Sequence, residues 1–197
     1  MLVLVGVVIS LLASARVKST FAKYQRVQNH SGLTGREAAE RVLRGAGIYD
    51  VRVEHVRGSL TDHYDPRSKV LRLSDSTYNS ASVAAVGVAA HECGHAIQHA
   101  SGYAPIRWRG SLVPVANFGS AIAWPLIIMG LFITGESSAL FINLGILAFS
   151  LAVLFHLVTL PVEFNASNRA VRILGSNGMM SQSEVQDVKK VLGAAAL

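Results

Sequence analysis

The sequence predicts a mainly α-helical, membrane-embedded protein that also carries a small antiparallel β-sheet. Hydrophobic residues make up 51% of the 197 residues and charged residues only 15%, whereas a soluble domain carries about 25% charged residues. The mean hydropathy is +0.39, and most of the apolar residues fall in three nearly charge-free stretches. This composition excludes a disordered chain and argues against an ordinary soluble enzyme.

The charge balance is basic, with a net charge of +6 and an isoelectric point near 9.8. In a chain this apolar, such a balance is typical of a membrane protein with basic cytoplasmic loops rather than of a nucleic-acid-binding protein. We therefore expect a lipid bilayer and no nucleic acid as a partner. The single cysteine, Cys93, excludes an intrachain disulfide framework and suits a reducing compartment.

Three apolar stretches set the predicted domain organisation. Gly110–Gly135 and Ser137–Val162 each exceed the ~20 helical residues that cross a bilayer core, so they predict a transmembrane helical hairpin over residues 111–162. A buried hairpin in a soluble protein is the alternative. Residues 1–15 are predicted to be an N-terminal transmembrane segment. A cleaved signal peptide is the alternative there, although the positive n-region of such a peptide is missing.

Basic residues flank these stretches on one side only. Because cytoplasmic flanks collect lysine and arginine, we predict a multi-pass protein of the cell membrane with residues 16–110 and 163–197 in the cytoplasm and Glu136 outside. The basic flanking residues are Arg16, Lys18, Lys23, Arg26, Arg107, Arg109, Arg169, Arg172, Lys189 and Lys190.

The cytoplasmic segments contain clear helix signals. Thr34–Glu37 and Ser181–Glu184 each read as a capping box, which predicts a helix start. Ser82–Ala100 has a helical composition, and Gly102 after it is a stop signal. Glu163–Leu174 is expected to continue the third apolar helix, so that residues 163–197 form two helices.

Three short segments predict the sheet. Val51–Val56 alternates apolar and polar residues, as a half-buried strand does. Leu60–Tyr64 and Val70–Leu73 flank the turn sequence Asp65–Ser68. We expect the three strands to pair antiparallel.

The predicted helix at Ser82–Ala100 contains His91-Glu92-Cys93-Gly94-His95, an HExxH motif. Residues four apart share a helical face, so His91 and His95 can bind one Zn²⁺, and Glu92 can act as a general base on a bound water. The alternative is a surface helix with two unrelated histidines. The apolar, small-residue run before the motif argues against it, because unpaired polar groups are costly to bury.

A catalytic zinc site usually has three protein ligands. His99 lies eight residues after His91, ~12 Å along a helix, too far for one ion to bind both on a straight helix. Cys93 faces away from the histidines and is expected to pack in the core. Glu163 is the first charge after the third apolar stretch and is the predicted third ligand. Ser167, four residues on, should share its face beside the site.

The sequence resembles the YugP-like neutral zinc metallopeptidases. The resemblance rests on HECGHAIQHA, the hydrophobic hairpin, PVEFNASNRA and DHYDPRSKVLRLS. The resemblance runs from Val17 to Leu197. It implies a membrane-embedded, zincin-like metallopeptidase whose cytoplasmic domain spans residues 16–110. Its substrates would be proteins or peptides, membrane proteins among them. The resemblance also implies a further apolar segment beyond Leu197, so we expect a truncated chain.

The family is distantly similar to the HtpX-like membrane peptidases, which are gluzincins with a second motif Glu-Phe-x-Ala-Asp. Glu163 matches the first residue of that motif, but Ser167 replaces the aspartate, which orients a zinc-bound histidine. Ser167, Asn165 or a residue elsewhere takes over this role.

Two other functions stay open. A site-2-type intramembrane protease usually carries a later Leu-Asp-Gly motif, which this sequence lacks. A non-catalytic, zinc-stabilised membrane scaffold would need the histidines but not Glu92. Within the peptidase hypothesis, Arg169 and Tyr64 are alternatives for stabilising the oxyanion, and the strand at Val70–Leu73 could pair with a substrate backbone.

Overall fold

The computed structural model describes residues 2–195, apart from the side chains of residues 2–7 and 136. The described residues form six helices and three strands, so the prediction of a mainly helical protein with a small sheet is confirmed. The elements are α1 (Leu2–Gln25), α2 (Gly35–Gly45), β1 (Arg52–Val56), β2 (His63–Asp65), β3 (Val70–Ser74), α3 (Val83–Ala100), α4 (Ala104–Phe132), α5 (Glu136–Ser176) and α6 (Gln182–Ala195).

The chain divides into two compact units. One comprises Met1–Ser101 with Glu163–Leu197, and the other is Gly102–Val162. Helix α5 contributes to both.

The predicted helix starts are confirmed. The backbone N–H of Thr34 donates to the Glu37 carboxylate over 2.9 Å, and that of Ser181 donates to Glu184 over 2.7 Å. Both capping boxes therefore satisfy N–H groups that a helix terminus leaves unpaired. The Ser82 hydroxyl accepts a hydrogen bond from the first turn of α3 over 3.2 Å, which fixes where the HExxH helix begins.

The sheet is mixed, so the prediction of a wholly antiparallel sheet was wrong. Its strand order is β1-β3-β2. β2 pairs antiparallel with β3 across the predicted turn, but β1 pairs parallel with β3. Alternation along a strand determines which face is buried and carries no information about the direction of the neighbouring strand. Because β3 is hydrogen-bonded on both sides, the expectation that Val70–Leu73 pairs with a substrate backbone was also wrong.

The second strand is shorter than expected. It begins at His63 rather than at Leu60, because the backbone turns sharply before it. Gly58 has φ +114° and Leu60 has φ +58°, values that an extended strand does not adopt.

The core of the first unit packs around α3. Most of its buried side chains come from α2, β3, α3, α6 and the last turns of α5. Cys93 is fully buried in this core, its Sγ lies 3.6 Å from the Ala39 carbonyl oxygen, and burial raises its pKa well above the usual range. As predicted, this thiol packs in the core, and it is not ionised. The tight packing holds the motif helix in one position.

The second unit is a helical hairpin joined by small residues. A Cβ on Gly119 would lie 2.8 Å from the Ala148 carbonyl oxygen, and one on Gly145 would lie 2.9 Å from that of Ala123. Such close backbone approach is typical of helix pairs in membranes. Large apolar side chains of this unit are exposed, including Phe118, Trp124, Leu131, Phe132, Leu147 and Leu154.

Among the described residues, two helices are long and apolar enough to cross a membrane, namely Ala104–Phe132 and Ser137–Ser176. The predicted first span covers residues 1–15; residues 2–15 lie within α1, and residue 1 lies outside the described residues. Its residues 1–7 fall outside the described side chains, so this span stays a prediction.

Candidate metal centre

Helix α3 presents the two motif histidines on one face. Their ring centroids lie 4.8 Å apart, with an interplanar angle of 84°. The His91 side chain is 16% exposed and the His95 side chain is 9% exposed. The four-residue spacing therefore places both imidazoles side by side in a nearly buried position, as the motif requires.

The last turns of α5 cross α3 at Gly94. A Cβ on this residue would lie 2.6 Å from the carbonyl oxygen of Ala166 and 3.0 Å from its Cα, so only glycine fits between the two backbones. Glu163 and Ser167 flank the crossing at Ala166 and reach the imidazoles. The glycine inside the motif thus determines how closely the carboxylate can approach.

Three side chains converge on one point. The Glu163 Oε2 atom lies 3.2 Å from His91 Nε2 and 3.4 Å from His95 Nε2, and the potential ligand atoms all lie within 4.8 Å of one another. Tetrahedral zinc bonds of about 2.0–2.2 Å place ligand atoms roughly 3.3–3.6 Å apart. The two separations between the carboxylate oxygen and the imidazole nitrogens lie close to these values, and the donor set of two imidazoles and one carboxylate is one that Zn²⁺ prefers.

The Nδ1 atom of each imidazole contacts an uncharged side-chain oxygen. His91 Nδ1 lies 3.1 Å from the Ser167 hydroxyl, and His95 Nδ1 lies 3.1 Å from the Gln98 side-chain oxygen. An amide oxygen only accepts, so Gln98 favours the tautomer of His95 that carries its proton on Nδ1. That tautomer directs the Nε2 lone pair toward the point of convergence, as a metal ligand requires.

Sequence reasoning did not find Gln98. This residue is fully buried, and its amide nitrogen donates to Asn165 over 3.1 Å. The signal was present, because a lone amide one turn after His95 in an apolar helix needs a partner as much as the histidines do.

The two oxyanion candidates have other contacts. Arg169 donates through Nε to Asn165 over 2.7 Å, and so supports the same hydrogen-bonded chain that reaches Gln98. The Tyr64 hydroxyl lies 3.2 Å from His99 Nδ1. His99 is exposed at the end of α3, which agrees with its exclusion as a ligand.

The carboxylates give the centre a negative charge. Burial alone would lower the pKa of His95, but the hydrogen bond with Glu163 and the charge of Glu92 together raise it. Two carboxylates close to two imidazoles therefore favour a positive charge at this position.

A cleft of about 250 Å³ opens at the centre. Glu92 lines this cleft although the residue is only 9% exposed. The lining residues are Val17, Leu60, Asp62, Val88, His91, Glu92, Glu163, Ser167, Leu192 and Ala195.

Two histidines one helical turn apart, an adjacent glutamate and a carboxylate from a second helix form the residue set of HExxH zinc peptidases. The chain belongs to the family described as "Putative neutral zinc metallopeptidase", whose model matches residues 1–197. The resemblance inferred from the sequence is therefore confirmed.

A curated relative agrees with this family. The chain is 50% identical over 189 residues to "Putative membrane protease YugP" of Bacillus subtilis (strain 168), an alignment that covers 96% of this chain and 83% of that protein. No solved structure matches the chain, so the zincin-like fold stays a prediction.

Proposed function

We propose that this protein is a multi-pass membrane zinc endopeptidase with its active site at the cytoplasmic membrane face. His91, His95 and Glu163 are the zinc ligands and Glu92 is the general base. The observation that carries the proposal is the convergence of two imidazoles and a carboxylate at 3.2 and 3.4 Å beside a cleft that Glu92 also lines. The basic flanks of the apolar stretches support the cytoplasmic orientation.

Few residues take part in the proposed hydrolysis of the peptide bond. When bound, zinc lowers the pKa of a coordinated water toward ~7 and polarises the substrate carbonyl. Glu92 removes a proton from the attacking water while the oxygen of that water forms a bond to the carbonyl carbon and the carbonyl π electrons move onto the carbonyl oxygen. Glu92 then delivers that proton to the amide nitrogen as the carbon–nitrogen bond breaks. Ser167 and Gln98 hold the two imidazoles in the orientation that this geometry needs.

Replacement of Glu92 tests the assignment. Glu92→Gln keeps all three ligands and removes the base, so zinc content should stay at the wild-type level while hydrolysis falls about 10²–10⁴-fold. The assay is cleavage of an unfolded protein with and without chelator, paired with metal analysis. Glu40→Gln is the matched control, because Glu40 lies in α2, where it pairs with Arg36 over 2.9 Å, and does not line the cleft.

The outcomes separate the alternatives. Full activity in zinc-loaded Glu92→Gln protein would remove Glu92 from the mechanism. Wild-type protein that holds zinc and cleaves nothing would support the non-catalytic scaffold instead. A site-2-type protease predicts cleavage of membrane-spanning substrates only, so hydrolysis of an unfolded soluble protein argues against it.

A further inference from the structure

The cleft beside the metal centre has two kinds of lining. Five of its ten lining residues are aliphatic, and the other five are the polar residues of the centre together with Asp62. A volume of about 250 Å³ is smaller than the roughly 300–1,000 Å³ of small-molecule sites, so the cleft suits one side chain rather than a whole ligand. The aliphatic residues are Val17, Leu60, Val88, Leu192 and Ala195.

Leu60 is held at this cleft in an unfavourable backbone conformation. Its φ is +58°, in the left-handed region that bulky side chains rarely adopt, and it remains 39% exposed. The loop is fixed on both sides of Leu60. The Asp62 carboxylate accepts hydrogen bonds from the backbone and hydroxyl of Ser74 over 2.8 and 2.9 Å, and the Gly58 N–H donates to Asp75 over 2.8 Å. Strain of this kind is concentrated at binding sites.

Two of the carboxylates that line the cleft already have partners in the fold. Asp62 uses both carboxylate oxygens on Ser74, and Glu163 contacts both imidazoles. A charged substrate side chain of either sign would lose its hydration among the five aliphatic lining residues, and an acidic one would also meet the carboxylate of Asp62. An aliphatic side chain gains from burial without either cost.

We propose that this cleft binds one aliphatic side chain of the substrate, next to the scissile bond, and that Leu60 is a specificity-determining residue. The inference rests on the proposed peptidase function and names the substrate class of the same site. Bonds flanked by leucine, isoleucine, valine or methionine are the favoured cleavage points.

The first test maps cleavage sites in unfolded casein by mass spectrometry. Wild-type protein should show several-fold enrichment of aliphatic residues at one position beside the cut, and Leu60→Asn should lose most of it. Asparagine tolerates a positive φ, so this variant keeps the loop and removes the apolar surface. Val27→Asn is the control, since Val27 is also 39% exposed but does not line the cleft. Cleavage without aliphatic preference, or an unchanged preference in Leu60→Asn, would overturn the proposal.

A binding arm distinguishes this inference from the proposed function. It uses zinc-loaded Glu92→Gln protein and fluorescein-labelled five-residue alanine peptides whose central residue is leucine, lysine or glutamate. The leucine peptide should bind at least several-fold more tightly than the other two, and adding Leu60→Asn should abolish the difference. Equal binding of all three refutes the aliphatic cleft even if hydrolysis is found. Selective binding without any hydrolysis in the wild type supports the cleft and refutes the peptidase function.

Discussion

Gly94→Ala tests whether the contact between α3 and α5 sets the geometry of the centre. The new Cβ would lie 2.6, 3.0 and 3.1 Å from three backbone atoms of Ala166. None of these atoms belongs to a flexible side chain, so the two helices must separate. Glu163 lies on the displaced segment, and its carboxylate moves away from the imidazoles.

The expected magnitude follows from two opposing terms. Overpacking of a tight contact costs about 1–3 kcal/mol, and alanine regains about 1 kcal/mol of helix propensity. The net loss of stability is therefore about 0–2 kcal/mol, or up to roughly 8 °C in Tm for a chain of this size. A shift of Glu163 Oε2 by a few tenths of an ångström also changes its separations from His91 Nε2 and His95 Nε2, which are 3.2 and 3.4 Å. Zinc affinity should fall about 10–100-fold, as it does when the support of a ligand is lost.

The assay is zinc competition with a chelator on detergent-purified protein, together with thermal unfolding of the metal-free form. Gly193→Ala is the matched control, because a Cβ there meets nothing within 4 Å and the substitution should leave zinc affinity unchanged. The reasoning fails if Gly94→Ala binds zinc as tightly as Gly193→Ala does. Unchanged zinc affinity with a lowered Tm would show that the contact stabilises the fold without setting the site.

Three further outcomes are expected. Glu163→Ala should lose zinc at chelator concentrations that the wild type withstands, whereas Asn168→Ala on the same helix should not; equal retention would remove Glu163 from the ligand set. Burial alone would raise the pKa of Glu184, but hydrogen bonds from Ser181 and His30 lower it to about 2. Glu184 therefore stabilises the fold at pH values above its unfolded pKa near 4.5, and this stabilisation is lost as the pH falls toward 2. Acid unfolding followed by circular dichroism should show that loss in the wild type and not in Glu184→Gln. In intact cells that carry Cys93→Ala, an impermeant maleimide should label a cysteine at position 136 and not one at 176, and the reverse pattern would invert the topology.

The features of this structure that depend on nearby residues could be predicted from the sequence. Capping boxes at Thr34–Glu37 and Ser181–Glu184 act over three residues, and the HExxH spacing acts over one helical turn, so both can be read without knowing the fold. Glu163 could be picked out for a different reason, because a carboxylate that ends a long apolar run needs a partner.

The non-local part could not be read in this way. The parallel pairing of β1 with β3 depends on how the chain returns between the strands, and apolar alternation does not encode that path. The crossing at Gly94 depends on which residue of α5 lies opposite, namely Ala166. For Gln98, the local part was predictable, because burial follows from its place in an apolar helix. Its partner was not, because Asn165 lies 67 residues away in the sequence.

The neutral partners of the two imidazoles explain how Ser167 can stand where the HtpX-like motif has an aspartate. Orientation needs only an acceptor for Nδ1–H, and a hydroxyl or an amide oxygen supplies one as well as a carboxylate does. A carboxylate would add a negative charge and raise the basicity of its histidine. With Ser167 and Gln98 in these places, the two carboxylates of Glu92 and Glu163 match the charge of one divalent cation. Such a balance suits a nearly buried site, where any uncompensated charge is costly.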